Sequence, residues 1–292
     1  MTNVTVIGLG NMGGAVAARL AEAFPTTGFD LSESARAEAS KRGVIAAADL
    51  ASAVADADVV VTSLPNPAIV RSAWTSPDGV LAHAKRGVKL VEISTIDPHT
   101  MRELETAAHE AGIDVVVDSP VSGGPAEALA GTLGLFVGGT DAHVESVREI
   151  LEHMGTPRRT GGVGTAKTVK IVNNMMTMAN VAAAAEAFAL GVAAGVEPQQ
   201  LFDVLSVSGG TSHHFVKRWP NALKGDYEAR FTVEMAEKDL ALAMELARSL
   251  RLPTPVASTG NALYQTAIVD GFAGKDIVAL LALYEKWATA RD

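Results

Sequence analysis

The junction near the start of the chain constrains the fold more than any other feature. A β-branched run, Val4-Thr5-Val6-Ile7, passes directly into "GLGNMG" and then into "GAVAARLAEAF", whose apolar residues recur at helical spacing. This is a G-x-G-x-x-G turn between a strand and a helix. Gly8 permits the tight turn, Gly10 lets a pyrophosphate approach the backbone, and Gly13 lets the helix pack close to the strand. The charge of such a ligand is met by the helix N-terminus, at Asn11 and Met12. Alone the motif is weak, because glycine turns between strands and helices are common.

The next residues strengthen it. About twenty residues beyond Gly8, "TTGFD" reads as a second strand ending in Asp30. A carboxylate there accepts hydrogen bonds from ribose hydroxyls and repels a 2′-phosphate. Leu31-Ser32 follow, without the Asn-Arg pair that often cradles NADP, so NAD is expected over NADP. "DADVVVTSLP", "GVKLVEIS" and "GIDVVVDSP" read as further buried strands, and "PHTMRELETAAHEAG" between the last two as a helix. Repeated β-α units with near-continuous Val and Ile strands imply an α/β fold with a doubly wound parallel sheet. Ligands of such sheets lie at the carboxyl ends of the strands. Leu64-Pro65-Asn66 and Thr95 fall there and are candidate cofactor contacts, although each also suits a plain loop or cap.

Composition excludes several classes. The chain has 292 residues, enough for two cores, with 48 % hydrophobic and 20 % charged residues. A net charge of -9 argues against nucleic acid or an anionic membrane as the main partner. The absence of cysteine excludes disulfides and thiolate metal sites, and fits a cytoplasmic protein. Seven histidines show no metal-ligand spacing, so no metal is expected. "MTNVTVIGLG" has no basic n-region and reads as no signal peptide. The apolar run "MMTMANVAAAAEAFALGVAAGV" is expected to be a buried interdomain helix and not a membrane span, because it carries Asn180 and Glu186 and is rich in Ala and Gly.

Two polar clusters remain. Ser122-Gly123-Gly124 follows a strand and precedes the helical "AEALAG". Consecutive amides unhindered by side chains make a natural carboxylate site there. In "GVGTAKTVKIVNNMM", Lys167, Lys170 and Asn174 fall within roughly 60° of one helix face, and Asn173 lies about 60° from Lys170. Met178 and Ala185 continue that face, which points these polar groups inward. A buried lysine is costly unless paired or used. Spacing does not choose between Lys167 and Lys170.

Taken in order, "GLGNMG", "SLPNP", "ISTIDP", "DSPVSGG", "VGTAKTVKIVNN" and "EKDLALA" resemble the motifs of the β-hydroxyacid dehydrogenases, a family that includes 3-hydroxyisobutyrate dehydrogenase and tartronate semialdehyde reductase. The resemblance spans nearly the whole chain. It implies an NAD-binding Rossmann-like domain over 1–162 and an all-α domain over 163–292, joined by a long helix, with the active site in the cleft between them. It implies that Lys170 is the acid/base, because the family lysine stands two residues before Asn-Asn, with Asn173 or Asn174 positioning a small carboxylate-bearing substrate. It assigns the substrate carboxylate to Ser122 and the Gly123 and Gly124 amides, Lys238 to cofactor or substrate, Asp239 to a structural role and Asp276 to packing. It also implies a homodimer or homotetramer.

The segment Ser206–Pro220 and Phe231 are expected to shape the distal end of the substrate. His213-His214-Phe215 departs from the Asn-Trp type sequence expected of 3-hydroxyisobutyrate dehydrogenases, which leaves the substrate open among 3-hydroxyisobutyrate, tartronate semialdehyde, threonate and sulfonated analogues. Among the alternatives, an imine reductase usually carries Asp or Tyr in place of Lys170. A 6-phosphogluconate dehydrogenase type would need a phosphate clamp from Lys217 and Arg218. An inactive dinucleotide-binding interaction protein would have no use for Lys170 with its asparagines.

Overall fold

The structure is a computed structural model and describes residues 1–289. The chain divides into two compact units, Met1–Lys170 and the residues from Ile171 onward.

The first unit is built on a nine-stranded sheet. Its strands are β1 (Val4–Ile7), β2 (Thr26–Phe29), β3 (Ile45–Ala46), β4 (Val59–Thr62), β5 (Lys89–Glu92), β6 (Val115–Asp118), β7 (Val121–Ser122), β8 (Leu133–Gly138) and β9 (Gly155–Gly161). The order is β3-β2-β1-β4-β5-β6-β8-β7, with β9 also on β8. From β3 to β6 every neighbour is parallel, as the Val-rich runs predict. Beyond β6 the sheet is mixed: β8 runs antiparallel to β6 and β7, and β9 parallel to β8. β7 is only two residues long and β9, "GTPRRTG", is half-exposed, so neither carries the apolar run of an inner strand, whereas β8 alternates buried with half-buried residues.

Alternation across the pleat gives the sheet two apolar faces. Val4, Val6, Val59, Val61 and Val91 pack on one side with Val16 and Leu20 of the helix Asn11–Ala21. Ile7, Val60, Leu90 and Val116 pack on the other side with Trp74 and Leu104. The chain leaves β1 for β2 on one side and returns to β4 on the other, so the order reverses at β1 and β4. That reversal opens a crevice beyond their carboxyl ends. Ser63, just past β4, closes its floor by donating its amide to the Ile7 carbonyl at 2.9 Å.

The second unit is helical, and no strand is assigned among its described residues, in line with the helical periodicity of its sequence. The helices Val233–Ser249 and Pro255–Ala267 pack around Phe188, Trp219, Tyr264 and Leu240. The helix Thr165–Ala193 begins in the first unit and continues into the second. By length and composition it is apolar enough to cross a membrane. The expectation that it is buried needs correction. Met178, Val181, Ala185 and Phe188 are buried on one face, whereas Val172, Met176 and Leu190 are exposed on the other.

Candidate active site

The glycine turn is built as its spacing predicts. Gly8 has φ +90°, and a Cβ on it would lie 2.2 Å from the Ser63 carbonyl oxygen. Gly13 is tighter still, since its Cβ would lie 1.9 Å from the Gly8 carbonyl oxygen. Both glycines are therefore needed by the protein itself. Gly10 is different: a Cβ there meets nothing within 4 Å. It precedes the helix Asn11–Ala21, whose first turn carries no side-chain cap. Open space over uncapped amides fits a pyrophosphate, and a side chain at Gly10 would fill that space. Asn11 is exposed and Met12 half-buried at the same turn.

Asp30, at the end of β2, holds the turn in place. Its Oδ2 accepts the Leu9 amide at 2.7 Å and its Oδ1 the Ser32 amide at 2.8 Å. Asn66 caps the helix Pro67–Thr75, accepting the Ile69 amide on Oδ1 at 2.9 Å. Leu64 is held by its amide, which donates to Ser94 Oγ at 2.8 Å, and Pro65 is exposed beside it. Thr95 follows Ser94 and is half-buried. The strand order thus gathers the glycine turn, Leu64-Pro65-Asn66 and Thr95 at the carboxyl ends of β1, β4 and β5.

Ser122 ends β7, and Gly123 turns with φ +130° into the helix Pro125–Ala130. The Gly124 amide donates to Glu127 Oε2 at 2.9 Å. This corrects the picture of an open amide pair: a carboxylate of the chain itself occupies one of the two donors, because Glu127 caps the helix that the glycines open.

The two motif lysines have different surroundings. Lys167 is fully buried. Its Nζ donates to Glu92 Oε2 at 2.5 Å, to the Glu92 carbonyl at 2.8 Å and to the Ser94 carbonyl at 2.9 Å. Three N–H donors meet three acceptors, which is what a buried ammonium requires. The Lys167 amide also donates to Asp118 Oδ2 at 3.2 Å. Burial pushes the Asp118 carboxyl above its usual range, with Lys167 opposing that rise. Lys170, one turn later on the same helix, is half-buried. Glu92, which the motifs do not reveal, and Ser94, which lies inside "ISTIDP" without being singled out there, hold Lys167 in place. The one sequence signal for Glu92 is a lone acidic residue closing the buried strand "KLVE", which needs a cationic partner.

In the second unit, Asn174 is buried and its Nδ2 donates to Asp239 Oδ2 at 2.6 Å, while Asn173 Nδ2 donates to Asn174 Oδ1 at 3.1 Å. Lys238 Nζ lies 3.1 Å from Asp239 Oδ1. His213 and His214 open the helix His213–Ala222. The two rings meet edge to face, with His213 exposed and His214 half-buried. Arg218 Nε donates to His214 Nδ1 at 3.2 Å, and burial followed by the Arg218 charge lowers the imidazole pKa to about 4. Arg218 is also ion-paired with buried Asp276, so it is committed within the protein and poorly suited to clamp a phosphate. Asp276 does more than pack: its Oδ2 accepts the Arg230 and Phe231 amides, which fixes the backbone at Phe231. Among the described residues no group of acidic and histidine side chains could hold a metal.

Known relatives give this geometry its context. Residues 3–164 match the family described as the NAD binding domain of 6-phosphogluconate dehydrogenase, and residues 164–284 match the family described as NAD-binding of NADP-dependent 3-hydroxyisobutyrate dehydrogenase. The chain is 35 % identical to the NAD-dependent L-serine dehydrogenase of Pseudomonas aeruginosa, over 98 % of each chain. It is 33 % identical to 2-(hydroxymethyl)glutarate dehydrogenase of Eubacterium barkeri, over 96 % of this chain and 94 % of the other. The chain belongs to the β-hydroxyacid dehydrogenase family. Among solved structures, 3-hydroxyisobutyrate dehydrogenase of Mycobacterium tuberculosis, described with L-serine, matches at a TM-score of 0.89 and 31 % identity, over 97 % of this chain and 99 % of that one. A β-hydroxyacid dehydrogenase acts on CH–OH groups of small hydroxy acids. The N-terminal Rossmann-like domain binds a nicotinamide dinucleotide, and a helical domain follows it.

Proposed function

We propose that this β-hydroxyacid dehydrogenase uses NAD to interconvert a short β-hydroxy acid and its semialdehyde or keto acid, with Lys170 as the acid/base. The observation that supports this most is the contrast between the two lysines. All three Lys167 donors are spent on Glu92 and Ser94, whereas Lys170 keeps accessible surface at the position the family motif marks.

A bound dinucleotide supplies the hydride acceptor. The chain does the rest. Ser122 and the Gly123 amide hold the substrate carboxylate. Lys170 takes the hydroxyl proton during oxidation and returns it during reduction, when its ammonium polarises the carbonyl. Asn174 presents its amide in one orientation, because Asp239 accepts only from its nitrogen. Asp30 favours NAD, since a carboxylate at the end of β2 would repel a 2′-phosphate. The protein works as a homodimer or homotetramer in the cytoplasm.

The substrate class extends from the relatives' L-serine and 2-(hydroxymethyl)glutarate to other polar hydroxy acids, because the polar His213-His214-Phe215 run departs from the Asn-Trp type sequence of the 3-hydroxyisobutyrate dehydrogenases. The test is nicotinamide absorbance with 3-hydroxyisobutyrate, glycerate, threonate, serine, 4-hydroxybutyrate and a sulfonated analogue, with NAD and NADP compared. NAD-linked turnover of at least one is expected. Turnover of none, beside reduction of cyclic imines, would instead establish an imine reductase.

A further inference from the structure

The fully satisfied lysine has a consequence beyond its own stability. The Lys167–Glu92 pair clasps the backbone of Ser94 from both sides. Glu92 Oε1 accepts the Ser94 amide at 2.9 Å, and the Ser94 carbonyl accepts from Lys167 Nζ at 2.9 Å. Ser94 passes the constraint on, because its Oγ accepts the Leu64 amide at 2.8 Å. Glu92 Oε1 also accepts from Thr62 Oγ1 at 3.4 Å, at the last residue of β4. One buried ion pair therefore fixes the two loops that follow β4 and β5. It also fixes the first turn of the helix on which Lys170 stands one turn further along.

We infer that Lys167 and Glu92 are positioning residues for the dehydrogenase reaction: they lock the Leu64–Asn66 loop, the Ser94–Thr95 loop and the base of the Lys170 helix into one rigid frame. Apolar packing could hold these segments without charge. An ion pair with hydrogen bonds to three backbone groups adds direction, which packing lacks, and small displacements of reacting groups cost large factors in rate. The inference rests on the proposed roles of those loops and of Lys170, and the test separates the two.

The variants are Lys167→Gln, Glu92→Gln, the charge-free double Glu92→Gln/Lys167→Gln, and Ser94→Ala, which removes only the acceptor of the Leu64 amide. Each is measured for NADH affinity by fluorescence, for kcat and KM with the best hydroxy acid, and for Tm. In the double variant kcat is expected to fall about tenfold or more while Tm stays close to that of the parent, and Ser94→Ala is expected to weaken NADH binding several-fold. If the single variants do not fold, the double variant and Ser94→Ala carry the test. Parental kcat and NADH affinity in both of these would overturn the inference and leave the pair a purely structural element. NADH affinity needs no substrate. A parent protein that turns over no hydroxy acid would therefore sink the functional reading while the loop-positioning claim is still decided by binding.

Discussion

Asn174 Nδ2 lies 2.6 Å from Asp239 Oδ2, and both side chains are buried. A carboxylate can only accept, so the nitrogen of the Asn174 amide must face Asp239 and its oxygen must face away, where Asn173 Nδ2 meets it at 3.1 Å. Asp239 thus sets the orientation of a side chain that we place beside the reacting hydroxyl. Asp239→Asn keeps the volume and removes the directional constraint. Its kcat is expected to fall about tenfold, with a smaller change in NADH affinity, as read from steady-state kinetics and fluorescence titration.

The glycine turn separates protein requirements from ligand requirements. Gly13→Ala drives a methyl group to 1.9 Å from the Gly8 carbonyl oxygen, and about 1–3 kcal/mol of stability should be lost in urea denaturation. In Gly10→Ala the added Cβ meets no protein atom within 4 Å, so its stability should match the parent while NAD affinity drops about tenfold or more. Equal loss of stability in the two variants would show that Gly10 serves the fold instead.

Asp30 holds the turn and, in our proposal, also selects against NADP, and the two tasks should separate. Both oxygens are engaged, with the Leu9 and Ser32 amides, so Asp30→Ala loosens the turn and lowers kcat/KM with NAD about tenfold. The repulsion of a 2′-phosphate disappears as well, so the NADP-to-NAD ratio of kcat/KM should rise. An unchanged ratio would show that the carboxylate serves only the turn.

His214 gives a pH signature with a definite sign. Its folded pKa, near 4, lies below its ordinary value of 6.5. Above pH 6.5 the ring is neutral in folded and unfolded chains alike, and its full contribution to stability is present. As pH falls from 6.5 towards 4 only the unfolded chain takes up the proton, so stability declines through that window. After allowance for solvent reaching the half-buried ring, the loss is about 1–2 kcal/mol. Melting curves from about pH 7 to about pH 4.5 should show it, and His214→Gln should flatten that part of the profile.

Much of this architecture is legible in the sequence, for physical reasons. Val59–Thr62 and Val115–Asp118 are near-continuous apolar runs because helices cover both faces of the sheet, and a strand with one wet face would alternate instead. The glycine turn is equally clear, since Gly8 and Gly13 are forced by backbone contact. β7 and β9 are not, because a two-residue strand and a half-exposed strand with two arginines carry no apolar burial pattern. Spacing cannot choose between Lys167 and Lys170, because both fall on the inward face of one helix. What sets Lys167 apart in the fold is Glu92, which is 75 residues away in sequence and adjacent only after β5 is in place. The capping of Gly124 by Glu127 is visible as three-residue spacing, but glycine opens helices too often for spacing to show that the amide is taken. Asp276 follows the same rule: its contact with Arg218 spans 58 residues.

That Lys170 carries the proton is tested most directly by Lys170→Ala. Turnover of the best hydroxy acid should fall by about 10²-fold or more, while NADH affinity and Tm stay near those of the parent. A variant that binds NADH and keeps the parent's kcat across roughly pH 6 to 10 would contradict this role and place the acid/base elsewhere.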